Sequence, residues 1–230
     1  MVDKILVIAA HPDDEVLGVG GTIAKYASNG DDVYVAILCS EASKRRVVES
    51  NNLDVPLEVS LKKALICLGV PIENLYCYNF PNLKMNSIPH DQLVASIEHL
   101  ILGIEPNKIF LHYENDLNID HQVIAQACSV AIRIFERRNL SHVIKVIAQY
   151  EIPSSTNWQT VGPRFIPNMY VDITDTFQTK IHALKHYDQS LKKIPNPLSL
   201  DYVTALATIR GSEAGLIKAE AFKIIRATEI

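Results

Sequence analysis

The sequence predicts a Rossmann-like α/β fold, with a mostly parallel sheet, helices on both faces of the sheet and a C-terminal helical extension. Two observations predict this class. Five short runs are apolar almost throughout, as in strands buried on both faces, and longer stretches with helical periodicity separate them. The 230 residues suffice for one full hydrophobic core, so we expect a single domain over 1–230.

The predicted elements alternate along the chain. The apolar runs predict strands at KILVIAA (4–10), DVYVAILC (32–39), LYCYNF (75–80), KIFLH (108–112) and VIKVIAQYE (143–151). The periodic stretches predict helices at about 17–29, 57–69, 90–104, 120–138, 175–188, 199–210 and 215–227. Residues 152–168 carry four turn signals and the only tryptophan, which predicts a loop able to cover a pocket.

Composition indicates which partners and which cellular compartment to expect. The formal net charge is −4, and the basic residues are scattered apart from SKRR at 43–46, so we expect no nucleic-acid partner. The apolar run before His11 is too short for a signal peptide or a membrane span, which favours a cytoplasmic protein. The four cysteines form no C-x-x-C pair and lie in apolar runs, which favours buried free thiols over disulfides.

Polar residues and three glycines follow the first predicted strand, in AHPDDEVLGVGGTIA (10–24). In a parallel α/β sheet the ligand lies outside the carboxyl ends of the strands. A dinucleotide-binding loop, however, places its first glycine directly after the strand and no carboxylates beside the pyrophosphate. We therefore expect the glycines to let a helix pack closely against the sheet.

The acidic residues of this stretch predict a metal site. His11 and Asp14 lie three residues apart on a tight loop, so an imidazole and a carboxylate can converge on zinc or a similar divalent ion. A catalytic zinc usually takes three protein ligands. The segment HYENDLNIDH (112–121) follows the fourth predicted strand at the same rim, and its His121 is the third candidate ligand. Asp120 is predicted to orient His121 from beside it, or to support the ligands without contacting the metal itself.

An alternative interpretation assigns these acids to helix capping. Acids in a first turn complement the helix dipole and accept hydrogen bonds from free N–H groups, which suits Asp13, Asp14 or Glu15. Asp116 or Asp120 is equally suited to cap the helix that follows. Capping alone explains neither the His-Pro before the first acids nor the matching Asp-His on a second loop.

With both loops considered, the chain resembles the LmbE-like, or PIG-L, family of metal-dependent deacetylases. The matching stretches are AHPDDEVLGVGGTIA (10–24), NIDH (118–121), KIHALKHYDQS (180–190) and RGSEAGLIKAEAF (210–222). Members of this family remove N-acetyl groups, typically from N-acetylglucosamine in small glycosides, glycolipids or antibiotic precursors.

The resemblance implies particular roles for the residues of the two loops. It implies one Zn²⁺ per chain on His11, Asp14 and His121, with Asp13 as the general base. One carboxylate and two imidazoles also suit Fe²⁺, so the native metal stays open. Many members carry a histidine where this chain has Asn118, and asparagine can donate a hydrogen bond but cannot carry a proton.

Other positions also differ from the family pattern. His112, at the end of the fourth predicted strand, is the candidate replacement for the missing histidine, and the alternative is a structural role closing that strand. An arginine of the family's substrate site is missing, and Arg46 is a candidate replacement. Asn82 is a candidate sugar contact. Trp158 is expected either to stack on a sugar face or to anchor its loop as a buried side chain.

We therefore expect a zinc-dependent N-deacetylase that acts on a small N-acetylated sugar or glycoside. One alternative is a metal-dependent hydrolase of another amide or ester. Another is a sugar-binding protein whose catalysis is weakened by Asn118. The sugar, its aglycone and the oligomeric state, including a homo-oligomer, stay open.

Overall fold

The computed structural model describes residues 2–39, 57–136, 143–160 and 162–229. Within them, seven strands form one sheet: β1 (Lys4–Ala9), β2 (Asp32–Ile37), β3 (Leu75–Cys77), β4 (Lys108–His112), β5 (Val146–Tyr150), β6 (Met169–Asp172) and β7 (Ala219–Ala227). Their order is β3-β2-β1-β4-β5-β7-β6. The first five are parallel, and β7 runs antiparallel to both of its neighbours.

Helices cover both faces of this sheet. They are α1 (Asp14–Ser28), α2 (Leu57–Cys67), α3 (His90–Ile104), α4 (Ile119–Ala131), α5 (Phe177–Leu184) and α6 (Leu200–Ala214). Alternate β1 side chains enter opposite cores, because successive residues of a strand point to opposite faces. Val7 packs with α1, α2 and α5, whereas Ile8 packs with α3 and α4. The predicted mostly parallel sheet with helices on both faces is confirmed.

The C-terminal segment differs from the prediction. Residues 215–227 do not form a helix: Gly215, with a φ of +72°, ends α6, and the chain returns to the sheet as β7. The alanines, lysines and glutamate of this stretch favour a helix, but such propensities are small, and pairing with β5 on one side and β6 on the other overrides them. Strand β6 itself was not predicted.

Helix α1 lies very close to the sheet, as its glycines predict. A Cβ atom added at Gly18 would overlap the ring of Tyr150, and one added at Gly21 would lie 2.8 Å from the side chain of Ile173. Since real Cβ atoms do not approach neighbours so closely, larger residues here would push the helix away from β5.

A buried ion pair holds the middle of α1. The Nζ atom of Lys180 lies 2.5 Å from Oε1 of Glu220 and donates a hydrogen bond of 2.8 Å to the carbonyl oxygen of Leu17. The Glu220 carboxylate accepts the backbone N–H groups of Gly21 and Thr22, at 2.9 and 2.7 Å. The two C-terminal sequence motifs therefore include residues that fix the helix leading away from the first loop.

The cysteines are free, as expected, although one prediction about them is wrong. Cys39 and Cys128 are buried and Cys67 is half-buried, but Cys77 is exposed. Cys77 ends β3, the outermost strand on its side of the sheet, where no further strand covers it. Among the described residues, no helix combines the length and apolar character needed to cross a membrane.

Candidate metal centre

The two polar loops meet at one edge of the sheet. Strands β1 and β4 are parallel neighbours, so their carboxyl ends lie side by side. His11 follows β1, Asp14 begins α1, and His121 lies in the first turn of α4, after the loop that leaves β4. The strand order therefore brings together residues more than 100 positions apart in the sequence.

The three predicted ligands converge on one point. Nδ1 of His11 and Nε2 of His121 each lie 3.2 Å from Oδ2 of Asp14. One ligand atom from each residue lies within 4.8 Å of the other two. Both ring nitrogens of His121 are buried and neither forms a hydrogen bond, although Nε2 lies close to Oδ2 of Asp14 and Nδ1 lies close to Oδ1 of Asp116. Two imidazole nitrogens and a carboxylate oxygen around one point fit a divalent cation.

Charged neighbours within this cluster shift the pKa values of its side chains strongly. Burial opposes a positive charge on His11, but Asp120 and Asp14 raise its pKa to about 10. Burial likewise opposes a charge on His121, whose pKa Asp14 and Asp116 raise to about 9. Burial alone would raise the pKa of Asp14, yet His121 and His11 hold it well below its usual range. The buried carboxylates thus favour positive charge at this position.

The carboxylate that orients His121 is Asp116, and the prediction of Asp120 for this role is wrong. Oδ1 of Asp116 lies 3.1 Å from Nδ1 of His121. Oδ2 of Asp120 instead lies 3.0 Å from Nε2 of His11. Adjacent residues of a helix project about 100° apart, so Asp120 points away from the ring of its neighbour. Asp116 reaches that ring because it lies on the preceding loop.

Asp120 also holds the loop that follows β3. Its two carboxylate oxygens accept the backbone N–H groups of Leu83 and Met85, at 2.6 and 3.1 Å. Leu83 has a φ of +56°, which is uncommon for a residue with a side chain. The candidate sugar contact Asn82 lies in this loop and is half-buried.

The capping interpretation describes the acids of the two loops only in part. Asp13 occupies the N-cap position of α1 but makes no side-chain capping hydrogen bond. Asn118 caps α4, since its Oδ1 accepts the backbone N–H of Asp120 at 2.9 Å. Asp14 and Asp116 face histidine rings. They also accept the backbone N–H groups of His11 and Asn118, at 3.0 and 2.8 Å, and Glu15 accepts that of Asp13 at 3.0 Å.

Asp13 stands beside the cluster in a strained conformation. Its φ of 108° and ψ of −28° lie in the left-handed region, where a residue with a side chain costs about 1–3 kcal/mol. Such strain is often found at functional sites. Asp13 is half-buried, whereas its neighbour Asp14 is buried. Asp13 is thus a partly exposed acid that directly precedes the candidate ligand Asp14.

The geometry of His112 supports the structural alternative. Its side chain is fully buried, and its Nε2 accepts the backbone N–H of Ala10 at 2.8 Å. Burial lowers its pKa well below the usual range, so the ring is neutral. The ring stacks on that of His121 with 3.8 Å between centroids. His112 closes the strand end and stacks on a candidate ligand, which favours the structural role over replacement of the histidine missing at Asn118.

The remaining candidate substrate residues have different outcomes. Trp158 is 62% exposed, so the prediction that it anchors its loop as a buried side chain is wrong. Thr156, which is buried, anchors this loop by donating a hydrogen bond to Asp116. Arg46 lies outside the described residues.

Comparisons with known proteins agree with this geometry. The family model described as PIG-L, GlcNAc-PI de-N-acetylase, matches residues 6–132, more than half of the chain. The diacetylchitobiose deacetylase of Thermococcus kodakarensis is 25% identical over 232 residues, covering 97% of this chain and 84% of that protein.

Solved structures share the fold. The N,N'-diacetylchitobiose deacetylase of Pyrococcus horikoshii aligns with a TM-score of 0.74 at 20% identity, over 97% of this chain and 84% of that one. The 4-carboxy-2-hydroxymuconate hydratase of Pseudomonas putida KT2440 aligns with a TM-score of 0.76 at 18% identity, over 100% of this chain and 99% of that one. The family model spans both loops of the triad, and the chain therefore belongs to the PIG-L family.

Proposed function

We propose that this protein is a zinc-dependent N-deacetylase that removes the acetyl group from an N-acetylated amino sugar or glycoside. The observation that carries the proposal is the convergence of His11, Asp14 and His121 on one point, with Asp13 beside them. The family description and the name of the Thermococcus relative support the choice of an N-acetyl sugar substrate.

The three ligand residues suit Zn²⁺, with Fe²⁺ as the second candidate. When bound, such an ion lowers the pKa of a coordinated water and polarises the acetyl carbonyl. Asp120 and Asp116 orient the two imidazoles from behind, through the ring nitrogens that do not face Asp14.

Asp13 acts as the general base in this proposal. Its carboxylate removes a proton from the attacking water as the acetyl carbon is attacked, and then passes that proton to the departing amine nitrogen. The C–N bond breaks to leave acetate and a free amino sugar. Protonation matters because an amine that has not been protonated is a poor leaving group. Asp13 directly precedes the ligand Asp14 on a strained backbone, and it is not one of the three residues whose ligand atoms converge, which supports this role.

Asn118 supplies a hydrogen-bond donor at the rim of the site. Its Oδ1 is engaged by the backbone N–H of Asp120, and we assign its amide NH₂ group to the developing oxyanion of the substrate. Asn82 and the exposed ring of Trp158 lie on the two loops held by Asp120 and Asp116, and we assign them to the sugar hydroxyls and the sugar face.

A second candidate is another metal-dependent reaction at the same centre. The observation that favours it is the Pseudomonas hydratase, whose fold matches this chain over nearly its whole length. A sugar-binding protein with weakened catalysis is the non-enzymatic alternative, because Asn118 cannot carry a proton.

Acetate release from a panel of substrates tests the proposal. The panel contains N-acetylglucosamine, N,N'-diacetylchitobiose, nucleotide-linked N-acetylamino sugars and small glycosides, incubated with zinc-loaded protein. We expect acetate and free amine in equal amounts from at least one compound, and none after zinc is removed with a chelator. Binding without acetate from every compound would support the sugar-binding alternative, and full activity without metal would refute the mechanism.

A further inference from the structure

Asp116 connects the candidate metal centre to the loop that carries Trp158. The side chain is buried, with 1% of its surface exposed. Its Oδ1 faces Nδ1 of His121 at 3.1 Å. Its Oδ2 accepts hydrogen bonds from the hydroxyl groups of Ser155, at 3.0 Å, and of Thr156. One carboxylate therefore contacts a candidate ligand on one side and a substrate-facing loop on the other.

The loop itself is built around the hydroxyl group of Thr156. This hydroxyl accepts the backbone N–H of Ile152 at 2.8 Å while it donates to Asp116. The backbone N–H of Trp158 donates to the carbonyl oxygen of Ser155 at 3.1 Å, which closes the short helical turn Thr156–Trp158. The position of Trp158 is thus linked to Asp116 through two hydroxyl groups.

We infer that Asp116 is a positioning residue that couples cation binding at His121 to the order of the 152–158 loop. The inference rests on the metal triad of the proposed function. A cation on Nε2 of His121 leaves the ring proton on Nδ1, where it donates to Asp116 and fixes the carboxylate. The fixed carboxylate in turn holds the two hydroxyl groups. Coupling between two sites is reciprocal. If a bound cation favours the ordered loop, the ordered loop favours cation binding by the same factor, so loosening the loop weakens metal binding.

The corresponding link on the other side of the site is of a different kind. Asp120 backs His11 but is held by backbone N–H groups of Leu83 and Met85, which a substitution does not remove. Asp116 also accepts one backbone N–H, from Asn118 at 2.8 Å, but its link to the loop consists of two side-chain hydroxyls. Substitution of either hydroxyl residue therefore weakens this link without changing any residue that faces the cation. This makes the coupling experimentally accessible.

Trp158 reports on the loop directly, because it is the only tryptophan in the chain. The full chain, stripped of metal with a chelator, is titrated with ZnCl₂ while fluorescence anisotropy and acrylamide quenching are recorded. Zn²⁺ has a filled d shell and no redox activity, so a signal change reports loop order. We expect a saturable rise in anisotropy and a fall in quenching at one equivalent, with the midpoint found by competition against a chromogenic chelator.

Substitutions in the loop test the reverse direction of the coupling. We expect Thr156→Val and Ser155→Ala each to raise the zinc dissociation constant about 5-fold or more, within the usual range for coupled sites. Asp116→Asn should raise it about 10- to 100-fold. Thr156→Ser keeps the hydroxyl and should restore wild-type affinity. Thr204→Val is the matched control, since that hydroxyl donates within α6, to Leu200.

The outcomes separate this inference from the proposed function. Unchanged zinc affinity in folded Thr156→Val and Ser155→Ala, or a silent Trp158 signal while zinc binds, overturns the coupling and leaves the proposed function intact. Failure of the wild-type chain to bind zinc overturns both. Ser155→Ala leaves the bond between Ile152 and Thr156 in place, so it decides the question if Thr156→Val does not fold.

Discussion

The polar groups at the two ends of strands β1 and β4 differ in burial and in how completely they are paired. At the amino ends, Nζ of Lys108 lies 2.9 Å from Oδ2 of Asp3, and Nζ of Lys145 lies 3.3 Å from Oδ1 of the same carboxylate. The backbone N–H of Lys4 donates to Oδ1 of Asn107 at 2.9 Å. These groups satisfy one another close to solvent.

At the carboxyl ends the polar groups are buried, and not all of them are paired. Nε2 of His121 forms no hydrogen bond, and Asp13 is held in a strained conformation beside Asp14. Buried polar groups are nearly always paired, so such an exception calls for an explanation, and a cation supplies one. We therefore expect the polar residues at the amino ends to contribute to stability and those at the carboxyl ends to bind a ligand. Substitutions at the two ends should accordingly have different effects.

The largest effect is expected from His11→Ala at the carboxyl ends. Removal of one of three ligands should lower the zinc content from about one equivalent per chain to near zero. The loss of zinc affinity should exceed the roughly 100-fold loss that follows removal of a residue that only supports a ligand. Acetate release should fall to background. Metal analysis and the acetate assay measure both. His182→Ala, an exposed histidine, is the control and should change neither. Normal activity in His11→Ala would contradict the ligand assignment.

Asp13→Asn should separate metal binding from catalysis. Because the side chain is proposed as a base and not as a ligand, zinc should stay at about one equivalent while kcat falls by about 10²- to 10⁴-fold. Asp175→Asn, at an exposed aspartate, should leave kcat unchanged. Loss of zinc together with activity would show instead that Asp13 belongs to the ligand set.

The two proposed roles of Asn118, as the N-cap of α4 and as a hydrogen-bond donor to the oxyanion, can be tested with one substitution. Asn118→Ser keeps an N-cap oxygen, so the free energy of unfolding should change by less than about 0.5 kcal/mol. The same change removes the amide donor, and kcat should fall by about 100-fold, the lower end of what loss of an oxyanion donor costs. Denaturant unfolding and steady-state kinetics measure the two. A serine variant with full activity would reduce Asn118 to a helix cap.

Sequence spacing predicts the site better than its supporting contacts. The i, i+3 spacing of His11 and Asp14, and the position of His121 after a neighbouring parallel strand, suffice to bring the three together. The step of about 100° between adjacent helical residues turns Asp120 away from the His121 ring, but the place of Asp116 behind that ring depends on the direction in which its side chain leaves the loop before α4. Periodicity does not record that direction for residues in a loop.

The fold shows the same limit at its C-terminal end. The buried parallel strands have an apolar pattern that identifies them from sequence alone. Strand β7 lies between β5 and β6 and carries lysine, arginine and glutamate, so its local composition resembles a helix. Its partners are about 50 to 80 residues away in the chain, and only their pairing shows the strand. Strands β6 and β7 were missed because contacts between distant parts of the chain determine them.

The smallest effect is expected at the amino ends, from Asp3→Asn. Hydrogen bonding to Lys108 lowers the pKa of Asp3, against the opposing effect of partial burial, and Lys145 adds to it. A carboxyl group whose pKa is lowered by folding stabilises the protein above its unfolded pKa, and this contribution is lost as the pH falls through the folded value. At pH 7 the variant should lose about 1 kcal/mol or less, since the pair lies near solvent.

The pH dependence of this loss distinguishes a charge effect from a packing effect. Urea unfolding of the wild type and of Asp3→Asn should differ at pH 7 and converge as the pH falls below the lowered pKa, because Asp3 is then protonated in both states. Zinc content and acetate release should match the wild type throughout, measured at pH 7. A stability difference that stays constant with pH would assign the loss to packing. A loss of zinc would show that the two ends of these strands are not independent, because the whole of β1 separates Asp3 from the nearest candidate ligand in the sequence, His11.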